Sequence, residues 1–160
     1  MKKKSKMKTI DWNRYLGFWY EQCRVPSWFE PASLSDCTAF YELDNDKKTI
    51  LITNQGINGL GFTQIAKGSA IIDSKTRNTL QVSFFPGVYA AYHILDFDEN
   101  YQYAIVGSKE YIWLLTRTSS VDEFIWKHFF ATAQHYGFDL NTIQKTPHRK
   151  PNASLVQKLF

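Results

Sequence analysis

The 160-residue sequence predicts an all-β domain closed off by one helix, and three observations carry that prediction. Short segments that alternate apolar with polar residues, or run β-branched and aromatic, recur up to about residue 117. Polar or Gly/Pro-containing turns separate them. Beyond them the apolar period changes from two to that of a helix. Aromatic residues make up 16% of the chain, with twelve Phe and nine Tyr, which suits β-structure around an apolar pocket. Eight strands on short turns have the spacing of a meander sandwich or barrel.

Residues 1–10 read as a basic tail, with Lys2, Lys3, Lys4, Lys6 and Lys8. Residues 11–16 form one helical turn with Asp11 as N-cap, and Gly17 ends it. The first strand runs to about residue 25. Pro26 and Pro31 then exclude a central strand from the loop over 26–36. In that loop Trp28 and Phe29 either fold over something or stand exposed for contact. Further strands are predicted over 37–43, 49–54, 64–72, 80–84, 88–95, 101–106 and 111–117. In the 64–72 strand Ala66, Gly68 and Ala70 share one face, and small inward residues leave room inside a barrel. Ser119 and Ser120 are capping candidates for the helix, and Asp122 and Glu123 suit its positive end. Val121, Phe124, Ile125, His128, Phe129 and Tyr136 recur at helical spacing, and Gly137 fits the residue just past the end. A short strand over 142–145 completes a domain of residues 11–146, followed by a tail over 147–160.

The charge pattern excludes several classes. Net charge is +4, but the excess sits in the N-terminal lysines and in His148-Arg149-Lys150, so no basic face for nucleic acid is expected on the folded body. No apolar run approaches the ~20 residues of a membrane span. The start has a charged region without an apolar one, which as it stands reads as cytoplasmic. Periplasm or outer membrane is the alternative if a leader was removed. No metal or cofactor is expected, since there is no Cys-x-x-Cys and no His/Cys cluster. His93 and His128 stand apart, with His128 on the apolar stripe of the helix, and no Ser/His/Asp order or carboxylate pair falls on one predicted face. These residues argue against an enzyme.

The run Arg14-Tyr15-Leu16-Gly17-Phe18-Trp19-Tyr20-Glu21 resembles the start of the lipocalins. Val82-Ser83-Phe84-Phe85, Leu95-Asp96, Tyr101, Tyr103-Ala104-Ile105-Val106 and Trp113-Leu114-Leu115-Thr116-Arg117-Thr118 continue the resemblance in order. It is greatest to the bacterial outer-membrane lipocalins and their plant and apolipoprotein D relatives. It implies an eight-stranded up-and-down antiparallel barrel, one C-terminal helix and a short ninth strand. Gly17, Trp19 and Arg117 would then form the closed end, with the arginine across the indole. The family's second motif, usually Thr-Asp-Tyr, is Glu99-Asn100-Tyr101 here, so only the tyrosine matches. The resemblance further implies a fatty acid, lysophospholipid or similar amphiphile in the cavity, for lipid carriage, storage or membrane maintenance; a monomer or weak dimer is expected. Because a few lipocalins act on their ligands, an enzyme working on a lipophilic substrate is the alternative.

In such a barrel, alternation places Glu21, Cys23, Ala39, Tyr41, Ile52 and Asn54 inward, with Ala66, Gly68, Ala70, Val82 and Phe84. Tyr89, Tyr103, Ile105, Trp113 and Leu115 complete the lining. Arg24 and Phe29 are placed at the mouth, where Arg24 either meets a carboxylate or phosphate or points to solvent. The expected ligand contacts are therefore Arg24, Phe29, Ala39, Tyr41, Asn54, Ala66, Val82, Phe84, Tyr89, Tyr103 and Trp113. If Trp19 faces Tyr41 across the first two strands, Cys23 faces Cys37 and a disulfide can staple the first loop. The alternative is two reduced thiols packed as small apolar groups. The basic N-terminus and the apolar end over 155–160 suggest peripheral membrane contact.

Overall fold

A computed structural model describes residues 8–149. A single turn of helix, α1 (Trp12–Tyr15), leads into β1 (Gly17–Arg24). Asp11 caps α1, its side chain accepting a hydrogen bond from the Asn13 amide. Seven strands follow: β2 (Ser35–Leu43), β3 (Ile50–Ile57), β4 (Thr63–Ile72), β5 (Thr79–Phe85), β6 (Val88–Phe97), β7 (Tyr103–Gly107) and β8 (Ile112–Thr116). Helix α2 (Glu123–His135), a 3-10 turn (Leu140–Thr142) and β9 (Gln144–Lys145) end the order. Each strand pairs antiparallel with the next, and β1 pairs with both β8 and β2, so the sheet closes into an eight-stranded barrel. Strand β9 adds to β1 at Cys23 and Arg24.

Two apolar cores result, one on each side of this sheet. Inside the barrel, Tyr15, Trp19, Tyr41, Ile50, Ile52 and Ala70 pack with Leu80, Ile94, Phe97, Ala104, Val106 and Leu115. Outside it, α2 lays Phe129 and Ala133 on Cys23, Ile105, Ile112 and Leu114. The helix therefore hides the outer face of β1, β7 and β8, and those strands are apolar on both sides.

Asp122 precedes α2 as its cap and makes no side-chain capping bond there, so Ser119 and Ser120 do not serve as caps. His128 leaves the apolar stripe: it is exposed and bonds the Asp96 carboxylate, while Phe124 and Tyr136 are also exposed. Gly137 does take the left-handed φ of +84° that a residue past a helix end needs. The packed body runs beyond residue 146, because the Pro147 carbonyl accepts from Asp36 N at 2.8 Å and Arg149 N donates to the Asp36 carboxylate at 3.0 Å. The expectations for 1–7 and 150–160 lie outside the described residues.

Candidate functional site

The barrel is shut at one end by the residues around Trp19. Gly17 adopts φ +101°, which lets the chain turn from α1 into β1. Trp19 is fully buried, donates Nε1–H to the Tyr15 carbonyl at 2.8 Å, and carries the Arg117 guanidinium 3.6 Å above its ring centre. Arg117 also donates to the carbonyls of Phe18 (2.8 Å), Arg14 (2.8 Å), Leu16 (3.1 Å), Tyr15 (3.3 Å) and Tyr101 (3.0 Å). One side chain thus satisfies the end of α1, the start of β1 and the β6–β7 turn.

Above this floor the interior opens in steps. Tyr41, Ala39, Ala70, Leu80, Val106 and Leu115 are buried. Next come Asn54, Gly68, Val82, Tyr92 and Trp113, which are half-buried, then Ala66, Phe84 and Ala90, which are exposed although the register turns them inward. An inward residue that solvent reaches marks a hollow. The inward face is thus packed at the Trp19 end and solvent-accessible at the other, where β4, β5 and β6 approach the β3–β4 and β5–β6 turns. Gly68 leaves room of a particular kind, since the Phe84 ring lies 2.8 Å from where a Cβ would stand. Two surface grooves, of about 490 Å³ beside α1 and about 400 Å³ between β6 and the end of α2, lie outside the barrel.

An aromatic lane lines one wall from mouth to floor. Phe29 packs on Tyr111 (5.3 Å between ring centres), Tyr111 on Trp113 (6.0 Å) and Trp113 on Tyr92 (6.5 Å). Tyr92 OH then hydrogen-bonds Tyr15 OH at 2.6 Å and Tyr41 OH at 3.1 Å. Burial holds all three phenols above their ordinary pKa, so they stay neutral and make a polar spot in an apolar floor.

Beneath the mouth sits a buried ionic cluster. Arg24, 1% exposed, donates Nη1–H to Glu21 Oε2 at 2.9 Å and Thr146 Oγ1 at 3.1 Å. Its Nη2–H groups go to the carbonyls of Pro31 (2.6 Å) and Leu34 (2.8 Å), strapping the loop over 25–34 to the barrel. Thr146 donates to Glu21 Oε2 at 2.5 Å, tying in the segment after β9. Glu30 reaches down from the loop, and its Oε1 accepts from Trp113 Nε1 at 2.9 Å. Carboxyl oxygens of Glu21 and Glu30 and the Cys37 sulfur lie within 4.8 Å of one another, the spacing of metal ligands. The cation among them is Arg24 itself, whose Nη1 is also 3.6 Å from Cys37 Sγ, so the Glu21 carboxylate is already paired from within.

Several expected contacts move. Arg24 is neither a free cation at the mouth nor an outward residue, because Nη1 and Nη2 are committed to protein and only Nε lacks a partner. Tyr89 faces outward, 58% exposed, since Ala90 and Tyr92 take the inward positions of β6. Tyr103 and Ile105 also face outward, against α2, while Ala104 and Val106 line the lumen. Cys23 sits under α2 and Cys37 inside the barrel, on opposite faces of the sheet, and both thiols are free. Trp19 pairs with Ala39, not Tyr41, so the register the disulfide needed is absent. Ala39, Tyr41, Asn54, Ala66, Val82, Phe84 and Trp113 do share the interior, with Phe29 at its rim. Tyr92, Ala90 and Glu30 were missed. An acid between Phe29 and Pro31 in an otherwise apolar loop was the available signal for the last.

Glu30 makes a pH prediction. Burial, then the Glu21 charge and a hydrogen bond with Glu21, hold its carboxyl well above its ordinary 4.5. The charged or titratable groups around it are Glu21 and Arg24 of β1 and Cys37 of β2. A carboxyl that binds its proton more tightly when folded stabilises the fold fully below pH 4.5, and this contribution is lost as pH rises through the raised value. Thermal melts across pH should therefore show wild type losing stability over that interval relative to Glu30→Gln. Parallel curves for the two proteins would refute the assignment.

Residues 10–148 match a family model described as a lipocalin-like domain. The outer membrane lipoprotein Blc of Vibrio cholerae is 39% identical over 136 residues, covering 82% of this chain and 78% of that protein. Temperature-induced lipocalin-1 of Arabidopsis thaliana is 33% identical over 153 residues, covering 88% and 81%. Among solved structures, lobster apocrustacyanin A1 superposes with a TM-score of 0.74 at 17% identity, over 92% of this chain and 85% of that one. Insecticyanin of the tobacco hornworm gives 0.73 at 17% identity, over 90% and 84%. At that identity these two speak for the fold alone.

Proposed function

The chain belongs to the lipocalin-like family, which binds small hydrophobic ligands, and from that premise we propose that it carries a single-chain amphiphile such as a fatty acid or lysophospholipid in the barrel. The observation that carries this is the graded exposure of inward residues, from Ala66 and Phe84 at the mouth to Tyr41 and Leu80 on the floor. The tail enters along the aromatic lane of Trp113 and Tyr92, and the head stays near Phe29. Burying about fourteen CH₂ groups contributes ~11 kcal/mol. Association costs of ~4 kcal/mol or more leave at most ~7 kcal/mol, a Kd of about 10 µM or weaker unless polar contacts help.

Displacement of a fluorescent fatty chain by unlabelled amphiphiles tests the reading, alongside native mass spectrometry of protein purified without added lipid. Val82→Trp fills the lumen and should weaken binding by about tenfold or more, about 1.4 kcal/mol. Tyr89→Ala, on the outer face, should leave it unchanged. Equal affinities for wild type and Val82→Trp would place the ligand elsewhere.

A further inference from the structure

The open end of the barrel displays apolar side chains where turns are ordinarily polar. Trp28 is 84% and Leu60 82% exposed, and Phe29, Phe62, Phe85 and Val88 are at least half exposed. They stand on three loops of the same end: β1–β2, β3–β4 and β5–β6.

Two of these loops are tight, built turns. In the β3–β4 turn, Asn58 Oδ1 accepts from the amides of Leu60 and Phe62 at 3.0 Å each, and Gly61 takes φ +86°. In the β5–β6 turn, Pro86 and Gly87, the latter at φ +79°, hold Phe85 opposite Val88. Each rigid tip thus presents its apolar residues at no further ordering cost. The tips carry no solvent-facing charge: residues 58–62 and 86–87 have none, and Glu30 of the first loop turns inward to Trp113. The opposite end is different, with Asp44, Asp46, Asp73, Asp98 and Glu99 in its turns. Exposed Lys109 stands on the β7–β8 turn of the same end, with Glu110 beside it.

We propose that this crown is a membrane-docking face, which seats the mouth of the barrel in the surface of a lipid bilayer. Aromatic and leucine side chains on rigid tips suit the boundary between headgroups and acyl chains. Lys109, on the β7–β8 turn of that end, lies where a lipid phosphate would meet it. A second copy of this chain is a poorer occupant. A two-fold contact needs a self-complementary patch, whereas a ring of protruding tips around an opening meets itself tip to tip. A bilayer deforms around such tips, and it places the amphiphile's source against the lumen, so the chain crosses no water.

The test uses the full chain with vesicles of phosphatidylcholine, alone and mixed with phosphatidylglycerol. Trp28 emission should shift to the blue on binding and be quenched by lipids brominated on the acyl chains; Trp28→Phe identifies its share of the signal. The triple variant Leu60→Ser/Phe62→Ser/Phe85→Ser should lose partitioning on the order of a hundredfold or more. Its melting temperature and its binding of soluble amphiphile should match wild type, since none of the three side chains is buried. No Trp28 shift on either vesicle, equal partitioning by the triple variant, or binding that vanishes when only residues 1–7 and 150–160 are removed would each overturn the proposal. So would self-association abolished by the triple variant without vesicle binding. Amphiphile binding in the absence of vesicles tests the lumen separately, and either result can stand without the other.

Discussion

Arg24→Met is expected to lower the unfolding free energy by about 3–5 kcal/mol, the cost of leaving a buried charge without its partner. The side chain it removes is one of the largest fully buried groups in the chain. Its loss strands the Glu21 carboxylate inside the barrel and orphans the Pro31 and Leu34 carbonyls. In a domain of this size that corresponds to roughly 10–15 °C in Tm. The loop over 25–34 loses its strap, so limited proteolysis should cut there first. Glu21→Gln in the same background should restore part of the loss, because a neutral amide needs no counter-charge. Urea denaturation of the two single variants and the double variant measures this. A loss under about 1 kcal/mol for Arg24→Met, or simple additivity with Glu21→Gln, would contradict the role given to the pair.

The second large effect belongs to the closed end. Trp19→Ala should cost about 3–5 kcal/mol, as removal of a fully buried indole from a packed core does. It deletes the ring contact with Tyr15 at 5.2 Å, the hydrogen bond to the Tyr15 carbonyl and the seat of Arg117. Arg117→Ala should be less costly, since the guanidinium is half-buried and water can reach some of the freed carbonyls. The two losses should fall short of additive by about 0.5–2 kcal/mol, the value of a cation–π contact. A fully additive double variant would show that arginine and indole are neighbours without coupling.

The strands were legible because turns punctuate them locally. Asp44 to Lys48 and Pro86-Gly87 stop strands by their own backbone chemistry, and the helix announced itself by a change of period. Which residues face inward was legible only where one side of a strand is wet. On β3 and β4 alternation put Asn54 and Ala66 in the lumen, where they are found. On β7 every residue from Tyr103 to Val106 is apolar, because α2 covers the outside, and the parity was taken the wrong way. Register shifts at Glu21/Cys23, Val82/Phe85 and Ile94/Asp96 each break the simple period. The first of them turns Cys23 out and Arg24 in, ending the disulfide and creating the buried cluster together.

By itself the sequence determined the order of strands and helix, through local period and turn residues, and its resemblance to the lipocalins, carried by several short motifs in order, implied the family and the tryptophan–arginine end. The tertiary structure alone decided that Glu30 folds into the barrel against Trp113, that Arg24 is consumed as a clamp, and that three apolar tips ring one opening. Those facts depend on where a proline-bounded loop lands and on single-residue bulges, and a one-residue step exchanges the two faces of a strand while leaving its composition untouched.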